Sequence, residues 1–208
     1  MSLTWLWKVR YAKRKFIISM VTSEYYSSEE LDDIGFKSVG EDVNLSKSCV
    51  IANPEDVVLG DRSRVDDFTI ITGSVEIGSN VHIGAFCTLG GQSGIKISDF
   101  GGVSHRVAIF SSSDDYAKGT LSNPTVPEEY KSVISGQVII SKHCIIGSGS
   151  VILPDLTIGY ATTVGALSLV NRSLDCQNVY AGIPVKLVSQ REIKNIKDYE
   201  NEYKQELE

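Results

Sequence analysis

The chain has 208 residues, a length that suits one domain with small appendages. Its net charge of −6 argues against general nucleic-acid binding, because such binding needs a basic surface. There is no apolar run of about 18 residues, so the sequence predicts no transmembrane helix. We therefore expect a cytoplasmic protein, in which only the N-terminal segment could contact a membrane.

Residues 1–38 are predicted to form an N-terminal cap. The first twenty residues mix aromatic and aliphatic side chains with basic ones, which suits either a packing helix or an amphipathic helix at a membrane surface. Further along, the run from Ser27 to Leu31 contains two serines and two glutamates, and it resembles the start of a capped helix.

From Val39 onward an aliphatic residue returns every six positions, usually followed by Gly or a small polar residue. A period of six fits neither the 3.6 residues of an α-helix nor the simple alternation of a strand. It is the period of a parallel β-helix, in which each short strand places one aliphatic residue on the axis. The sequence predicts such an all-β domain over residues 39–187, with axial residues that include Ile77, Ile83, Leu89, Ile97, Val103, Ile109, Ile140, Ile146, Ile152, Ile158 and Val164.

A long segment, residues 110–137, interrupts the repeat. A structureless loop of this length inside a compact repeat is uncommon unless it serves binding or catalysis. A β-helix has flat faces, so its pockets need such loops or neighbouring subunits. A smaller insertion at residues 90–94 is glycine-rich, and it either brings backbone N–H groups close to a ligand or is a turn that tolerates extra residues. After the repeat, residues 188–208 carry apolar side chains at helical spacing, which predicts a C-terminal helix.

Three stretches resemble the left-handed β-helix acyltransferases with hexapeptide repeats: the repeat itself, residues 138–154, and the closing motif of residues 180–186. The resemblance implies a left-handed parallel β-helix and a homotrimer. It also implies transfer of an acetyl or related group from acetyl-CoA to a hydroxyl or an amine. A narrower resemblance is to sugar O-acetyltransferases of bacterial surface-polysaccharide pathways, and it suggests a sugar or nucleotide-sugar acceptor. This branch is matched by residues 25–40, 64–68, 81–83, 110–116 and 124–130.

Such a transfer needs a general base near neutral pKa, for which histidine is the usual choice. His82 is the first candidate, because it points away from the axis and matches the branch; His143, beside the loop's return, is the second, and His105 matches less well. Better-known sugar acetyltransferases place a catalytic histidine about where Asp114 and Asp115 fall here. Because aspartate is a weak base at neutral pH, we expect these two to orient an imidazole or to bind the sugar.

The resemblance places coenzyme A in a groove between two subunits, with its pantetheine arm parallel to the helix axis. Small residues let the arm approach, and the candidates are Ser148, Gly165, Ala166 and Gly182. The phosphates of coenzyme A need cations. Lys186 in the closing motif is the best placed of these, followed by Arg172 and Arg191. No metal ion is expected.

Several functions stay open at this point. The first choice is O-transfer of an acetyl group to a sugar hydroxyl in surface-polysaccharide biosynthesis, which the narrower resemblance favours. N-transfer to a nucleotide-linked amino sugar is the alternative, and the sequence does not separate the two. A zinc carbonic anhydrase on the same fold would need a close pair of histidines and a third. Here His82, His105 and His143 are 23 and 38 residues apart, which argues against that enzyme. A non-catalytic trimeric scaffold is the remaining alternative.

Overall fold

A computed structural model describes residues 24–207 of the chain, and its first helix is α1, Ser28–Ile34. Ser27 caps this helix: its hydroxyl accepts the N–H of Glu30, and the Glu30 carboxylate accepts the N–H of Ser27. The helix ends at Gly35, whose φ is 84°. The capped start predicted from sequence is thus confirmed. The helix considered for the first twenty residues lies outside the described part of the chain.

Within residues 24–207 the rest of the fold is built mainly from short strands. They are β1 (Ser38–Val39), β2 (Asn44–Leu45), β3 (Val50–Ala52), β4 (Val57–Leu59), β5 (Arg64–Val65), β6 (Ile70–Ile77), β7 (His82–Ile83), β8 (Thr88–Ile97), β9 (Gly102–Val103), β10 (Ala108–Phe110), β11 (Ser112–Asp114), β12 (Val133–Ser135), β13 (Val138–Ile140), β14 (Ile145–Ile146), β15 (Val151–Ile152), β16 (Leu156–Ile158), β17 (Thr163–Val164), β18 (Leu169–Val170), β19 (Asn178–Ala181) and β20 (Lys186–Gln190).

The strands stack in three parallel rows, which we call faces A, B and C. Face A contains β2, β5, β7, β9, β14, β17 and β19 in that order. Face B runs through β3, the first halves of β6 and β8, then β10, β15 and β18, and face C through β1, β4, the second halves of β6 and β8, β13 and β16. Each coil contributes one strand to each face, so the chain forms the predicted left-handed parallel β-helix.

The axial ladder explains why the coils hold together. All the aliphatic positions named above are buried, with relative exposures of 0–1%. Burying each such side chain contributes roughly 1.5–3 kcal/mol. At the corners small polar side chains satisfy backbone carbonyls, as when the Thr69 hydroxyl donates to Gly84 and that of Ser150 donates to Gly165. The six-residue period therefore reflects one buried aliphatic side chain for each face of the prism.

The inserted loop is more ordered than the sequence indicated. Strands β11 and β12 pair antiparallel at its base, and a short 3-10 helix, Glu128–Tyr130, precedes β12. The loop leaves after β10 of face B and returns at β13 of face C. It therefore projects from the edge shared by faces B and C, which is the edge that does not border face A.

The C-terminal helix begins later than predicted. Residues from Val188 onward were expected to be helical, but β20 pairs antiparallel with β19 and uses the backbone groups of Lys186–Gln190. Helix α2 is Ile196–Leu207. It lies along the edge between faces C and A, where the Tyr203 hydroxyl donates to the side-chain Oδ1 of Asn80 at 3.0 Å. Neither helix of the described part is long and apolar enough to cross a membrane.

Candidate functional site

A histidine–aspartate pair stands on the outer side of face A. His82 projects from β7 with about half of its side chain exposed, and its Nε2 lies 2.8 Å from Oδ2 of Asp66. Asp66 belongs to the preceding coil and is nearly covered. The ring of His82 therefore leans toward that coil, and the aspartate fixes its orientation.

The charge state of Asp66 decides which nitrogen of His82 can act as a base. Burial alone would raise the pKa of this carboxyl, but hydrogen bonds from His82 and from Arg64 outweigh that effect and hold the pKa below its ordinary value. Asp66 is thus ionised at neutral pH and can only accept hydrogen bonds. A neutral His82 must then carry its proton on Nε2, which leaves the lone pair on Nδ1 for a proton from another molecule.

Arg64 supports the pair from the neighbouring rung. Its Nε donates to Oδ1 of Asp66 at 2.6 Å, and its guanidinium lies 5.7 Å from the centre of the Tyr25 ring. Both carboxylate oxygens of Asp66 are therefore engaged, one by each partner. This arrangement restrains the histidine without occupying its Nδ1.

A row of small residues runs along the same face from this pair. Strands β5, β7, β9, β14 and β17 are in register. The residue that directly follows the buried axial residue therefore occupies the same place in each of these coils. This residue is Asp66 in the first of these coils, and Gly84, Ser104, Gly147 and Gly165 in the following ones. We call the last four the small-residue row. The Ser104 hydroxyl has no hydrogen-bond partner among residues 24–207. The row forms a shallow track parallel to the helix axis, with His82 beside its first end.

Three of the predicted coenzyme residues lie on or beside this track. Gly165 is in the row, while Ser148 and Ala166 follow it at the adjoining edge. The far end of the row reaches β19, since a Cβ on Gly165 would lie 3.0 Å from that of Ala181. Gly182 follows there with a φ of 109°, and its N–H donates to the Ser168 hydroxyl. The four small residues named from the sequence are therefore gathered near one end of face A.

The predicted cations have different surroundings. Lys186 is exposed at the start of β20, opposite Ala181, and forms no ion pair with any residue in the described range. Arg172 lies 5.8 Å from the centre of the Tyr180 ring, and Arg191 donates to the backbone oxygen of His143 at 2.6 Å. Arg172 is exposed as well, but both arginines have partners within the chain, whereas Lys186 forms no ion pair within the part of the chain that the structure describes.

His143, the second histidine candidate, lies beneath helix α2. It is 8% exposed, stacks on Phe100, and places its Nε2 2.9 Å from Oε2 of Glu200. Burial would raise the pKa of Glu200, but hydrogen bonds from Lys142, Lys204 and His143 lower it to about 2. The geometry makes His143 an anchor for the helix. Its ring also borders a pocket of about 480 Å³ between Phe100 and the helix.

His105 stands on the other side of the small-residue row. Its Nδ1 accepts the N–H of Ala85 at 2.9 Å, so a neutral His105 carries its proton on Nε2. It can donate a hydrogen bond to a ligand in the row but has no free lone pair for a proton. The hydrogen bonds therefore set His105 apart from the other two histidines, whose Nε2 atoms both face carboxylates. Of those two, His143 is buried and His82 is half exposed, which favours His82 as the base.

The two loop carboxylates lie apart from His82. Asp114 accepts a hydrogen bond from the N–H of Asn123. Asp115 accepts the N–H groups of Ala117 and Lys118. The bond from Ala117 contributes most to lowering the pKa of Asp115. Asp114 lines a polar depression of about 490 Å³ formed by the loop and Gln92. Since the loop leaves at the edge opposite face A, one chain does not bring Asp114 to His82.

Sequence reasoning assigned no role to Asp66 or to Ser104. The length of a coil could have identified both residues. Residues 18 to 20 apart are neighbours on one face, as the pairing of Arg64 with His82 and of His82 with Gly102 shows. Stacking the sequence in coils would have placed Asp66 beside His82. Across the described chain, no group of three or more His, Cys, Asp or Glu is placed to hold a metal ion.

A left-handed β-helix of six-residue repeats, with a histidine–aspartate pair and a row of small residues on one flat face, is typical of hexapeptide-repeat transferases. Comparison with known proteins agrees: a family model described as bacterial transferase hexapeptide (six repeats) matches residues 56–91. A dTDP-4-amino-4,6-dideoxy-D-glucose acyltransferase of Escherichia coli is 38% identical over 173 residues, which cover 82% of this chain and 90% of that protein. The chain belongs to the hexapeptide-repeat transferase family.

Solved structures and a further relative extend the comparison. AntD, an N-acyltransferase from Bacillus cereus in complex with dTDP and 3-hydroxybutyryl-CoA, has a TM-score of 0.87 and 42% identity, covering 89% of this chain and 99% of that one. Another AntD structure, of a variant in which a serine is replaced, holds dTDP-4-amino-4,6-dideoxyglucose with coenzyme A. In a further AntD structure the replaced residue is an aspartate ten residues beyond that serine. The putative lipopolysaccharide biosynthesis O-acetyl transferase WbbJ of Escherichia coli K12 is 28% identical over 134 residues, 64% of this chain and 59% of that protein.

Proposed function

We propose that this protein transfers a short acyl group from a coenzyme A thioester to the amino group of a dTDP-linked 4-amino sugar. That it is an acyl-CoA-dependent acyltransferase acting on sugars follows from its family and relatives. N-transfer was the second choice in the sequence analysis, behind O-transfer to a sugar hydroxyl. The similarity to two N-acyltransferases, closer than that to the O-acetyl transferase, supports the amine.

The observation that carries the proposal is the small-residue row with His82 at its head. An extended pantetheine arm can lie along Gly165, Gly147 and Ser104, because no large side chain projects from these positions. Ser148 and Ala166 allow the same approach at the edge of the face. Lys186, exposed beyond the far end of the row, suits a contact with the phosphates of coenzyme A. In this proposal the thioester lies near His82.

The reaction then needs a base that removes one proton from the amine, and displacement of coenzyme A from the thioester carbonyl. The nitrogen lone pair of the sugar amine attacks the thioester carbonyl, a C–N bond forms, and Nδ1 of His82 takes the proton that the amine loses. The tetrahedral intermediate collapses with cleavage of the C–S bond, and the leaving thiolate of coenzyme A takes the proton that His82 accepted, which returns His82 to its neutral form. The Nε2–H of His105, beside the row, is a donor suited to the negative oxygen of that intermediate.

The acceptor side is proposed to come from a neighbouring subunit of a homotrimer. Within one chain Asp114 belongs to the loop at the edge shared by faces B and C, while His82 stands on face A, so a second copy is needed to bring the loop to face A. Ser104 and Asp114 are ten residues apart, the spacing of the serine and aspartate replaced in AntD. The carboxylate of Asp114 suits a hydrogen bond from a sugar amine, and the free hydroxyl of Ser104 suits a contact beside it.

The test is transfer to a matched pair of acceptors. Purified protein would be mixed with an acyl-CoA and either dTDP-4-amino-4,6-dideoxyglucose or the dTDP sugar with a hydroxyl at the same carbon, and release of free thiol would be followed. We expect turnover with the amine and little with the hydroxyl. Faster turnover of the hydroxyl would restore the O-transferase prediction. Failure of the protein to bind coenzyme A in calorimetry would instead favour a non-catalytic scaffold.

A further inference from the structure

The outer side of face A has an unexplained gap next to the base. Successive coils place Arg64, His82, Gly102 and Ile145 on neighbouring rungs, as the strand register shows. A side chain projects from each of these rungs except that of Gly102.

Neither the backbone nor the packing requires glycine at this position. Gly102 does not have a positive φ, and a Cβ added to it would meet no atom within 4 Å. Other coil glycines are required for packing: a Cβ on Gly60 would lie 2.5 Å from the carbonyl carbon of Gly78, and one on Gly84 would lie 2.8 Å from the backbone nitrogen of His105. Among the coil glycines of the described residues, Gly102 alone combines an ordinary φ with open space.

The space beside Gly102 is bounded by the base and by an apolar side chain. His82 leans toward Asp66 on the preceding coil, and therefore away from Gly102. Ile145 on the following coil is 42% exposed. Since strands in a sheet are about 4.8 Å apart, the rungs of His82 and Ile145 are separated by roughly 10 Å. We call this space the Gly102 niche.

We propose that the Gly102 niche holds the acyl chain of the donor, so that the protein prefers an acyl group of three or four carbons over acetyl. This inference rests on the proposed function, in which the thioester lies beside Ser104 in the small-residue row. Ser104 is two residues from Gly102 along the same strand, a distance of roughly 6–7 Å, which a methyl group does not span. A sugar ring would fit the niche poorly, because Gly102 and Ile145 offer its hydroxyls no hydrogen-bonding side chain.

The experiment narrows the niche and compares donors. Values of kcat/KM would be measured for acetyl-CoA, butyryl-CoA and 3-hydroxybutyryl-CoA with dTDP-4-amino-4,6-dideoxyglucose as acceptor. We expect the wild type to prefer the four-carbon donors. Gly102→Val should lower kcat/KM for those donors about tenfold or more, while acetyl-CoA changes by less than about threefold. Gly119→Val is the matched control, because a Cβ there also meets no atom within 4 Å but lies in the loop, and it should leave the ratio of donors unchanged.

The possible results separate this inference from the proposed function. If the wild type binds no coenzyme A and uses no thioester, the proposed function fails and the inference falls with it. If the wild type is active but prefers acetyl-CoA, or if Gly102→Val lowers all donors equally, only the acyl niche is overturned. If light scattering shows that Gly102→Val dissociates an assembly formed by the wild type, the niche is a contact between subunits, and the inference is again wrong.

Discussion

The most specific chemistry of this molecule lies in the hydrogen bonds of single side chains. His82 and His105 both border the small-residue row, yet each uses a different nitrogen within the protein. Because Asp66 binds Nε2 of the first and the Ala85 N–H binds Nδ1 of the second, one ring is arranged as a proton acceptor and the other as a donor. Two identical residue types therefore take opposite roles on one face.

Replacing His82 by alanine tests the role of the acceptor nitrogen. We expect kcat to fall by roughly 10²–10⁴, because the amine loses its general base. The affinity for coenzyme A measured by calorimetry should stay within about twofold, since the imidazole acts on the acceptor amine. The opposite pattern, in which His143→Ala abolishes transfer and His82→Ala spares it, would show that the base is misassigned.

Asp66→Asn tests whether the carboxylate positions the histidine. The asparagine keeps the shape of the side chain but no longer forces the proton of His82 onto Nε2. We expect kcat to fall less than in His82→Ala, with KM for both substrates nearly unchanged. Steady-state kinetics would be measured beside a thermal unfolding curve. A variant that loses stability and substrate affinity together would contradict a positioning role.

At the scale of elements, helix α2 depends on one carboxylate. Glu200 receives hydrogen bonds from Lys142, His143 and Lys204, and its pKa is lowered from 4.5 to about 2. A carboxyl whose pKa is lowered on folding stabilises the fold above its ordinary pKa. That stabilisation should therefore be complete above about pH 5 and be lost as the pH falls through 4.5 toward 2.

Glu200→Gln checks this expectation. At neutral pH we expect the docked helix to lose about 1–3 kcal/mol, the cost of removing a charged acceptor from hydrogen-bonded partners. Hydrogen exchange of residues 196–207 would report the loss, and the difference from the wild type should shrink in acid. Glu206→Gln, an exposed change on the same helix, is the control and should alter exchange little.

The coil glycines offer a second test at this scale. Gly60→Ala places a methyl group against the next coil and should cost about 1–3 kcal/mol, because the backbones approach too closely for a Cβ. Gly102→Ala should change stability by less than about 0.5 kcal/mol, because its site is open. Urea unfolding midpoints would compare the two. A similar loss for both would show that Gly102 is also constrained by packing.

The elements that sequence predicted well are those with a local signal. Axial residues such as Ile83 and Ile146 are all buried in the same way. The period of six therefore predicts the fold without knowledge of long-range contacts. The start of α2 was misjudged because the predicted first residue, Val188, lies in β20, and the pairing of β20 with β19 leaves no signal in the helical spacing of the later residues. The contact between Asp66 and His82 crosses from one coil to the next, and it becomes visible only when the coil length is known.

At the scale of the whole molecule, the separation of His82 from the loop allows the proposed sharing of sites between subunits to be tested. Protomers carrying His82→Ala and protomers carrying Asp114→Asn would be co-expressed and purified as mixed assemblies. If each site takes His82 from one subunit and Asp114 from the next, random mixing leaves about one site in four intact, and activity should recover to that level. No recovery above the single variants would show that each chain completes its own site.

The interruption between β10 and β13 has a consequence for how such chains can diversify. Partners in neighbouring coils are usually 18 to 20 residues apart, whereas Gly102 and Ile145 are separated by 43. Each doubling of a closed loop adds only about 0.6 kcal/mol of chain entropy. The stack of coils therefore tolerates loops of many lengths at this point. The loop surface can change in this way while the small-residue row keeps its spacing.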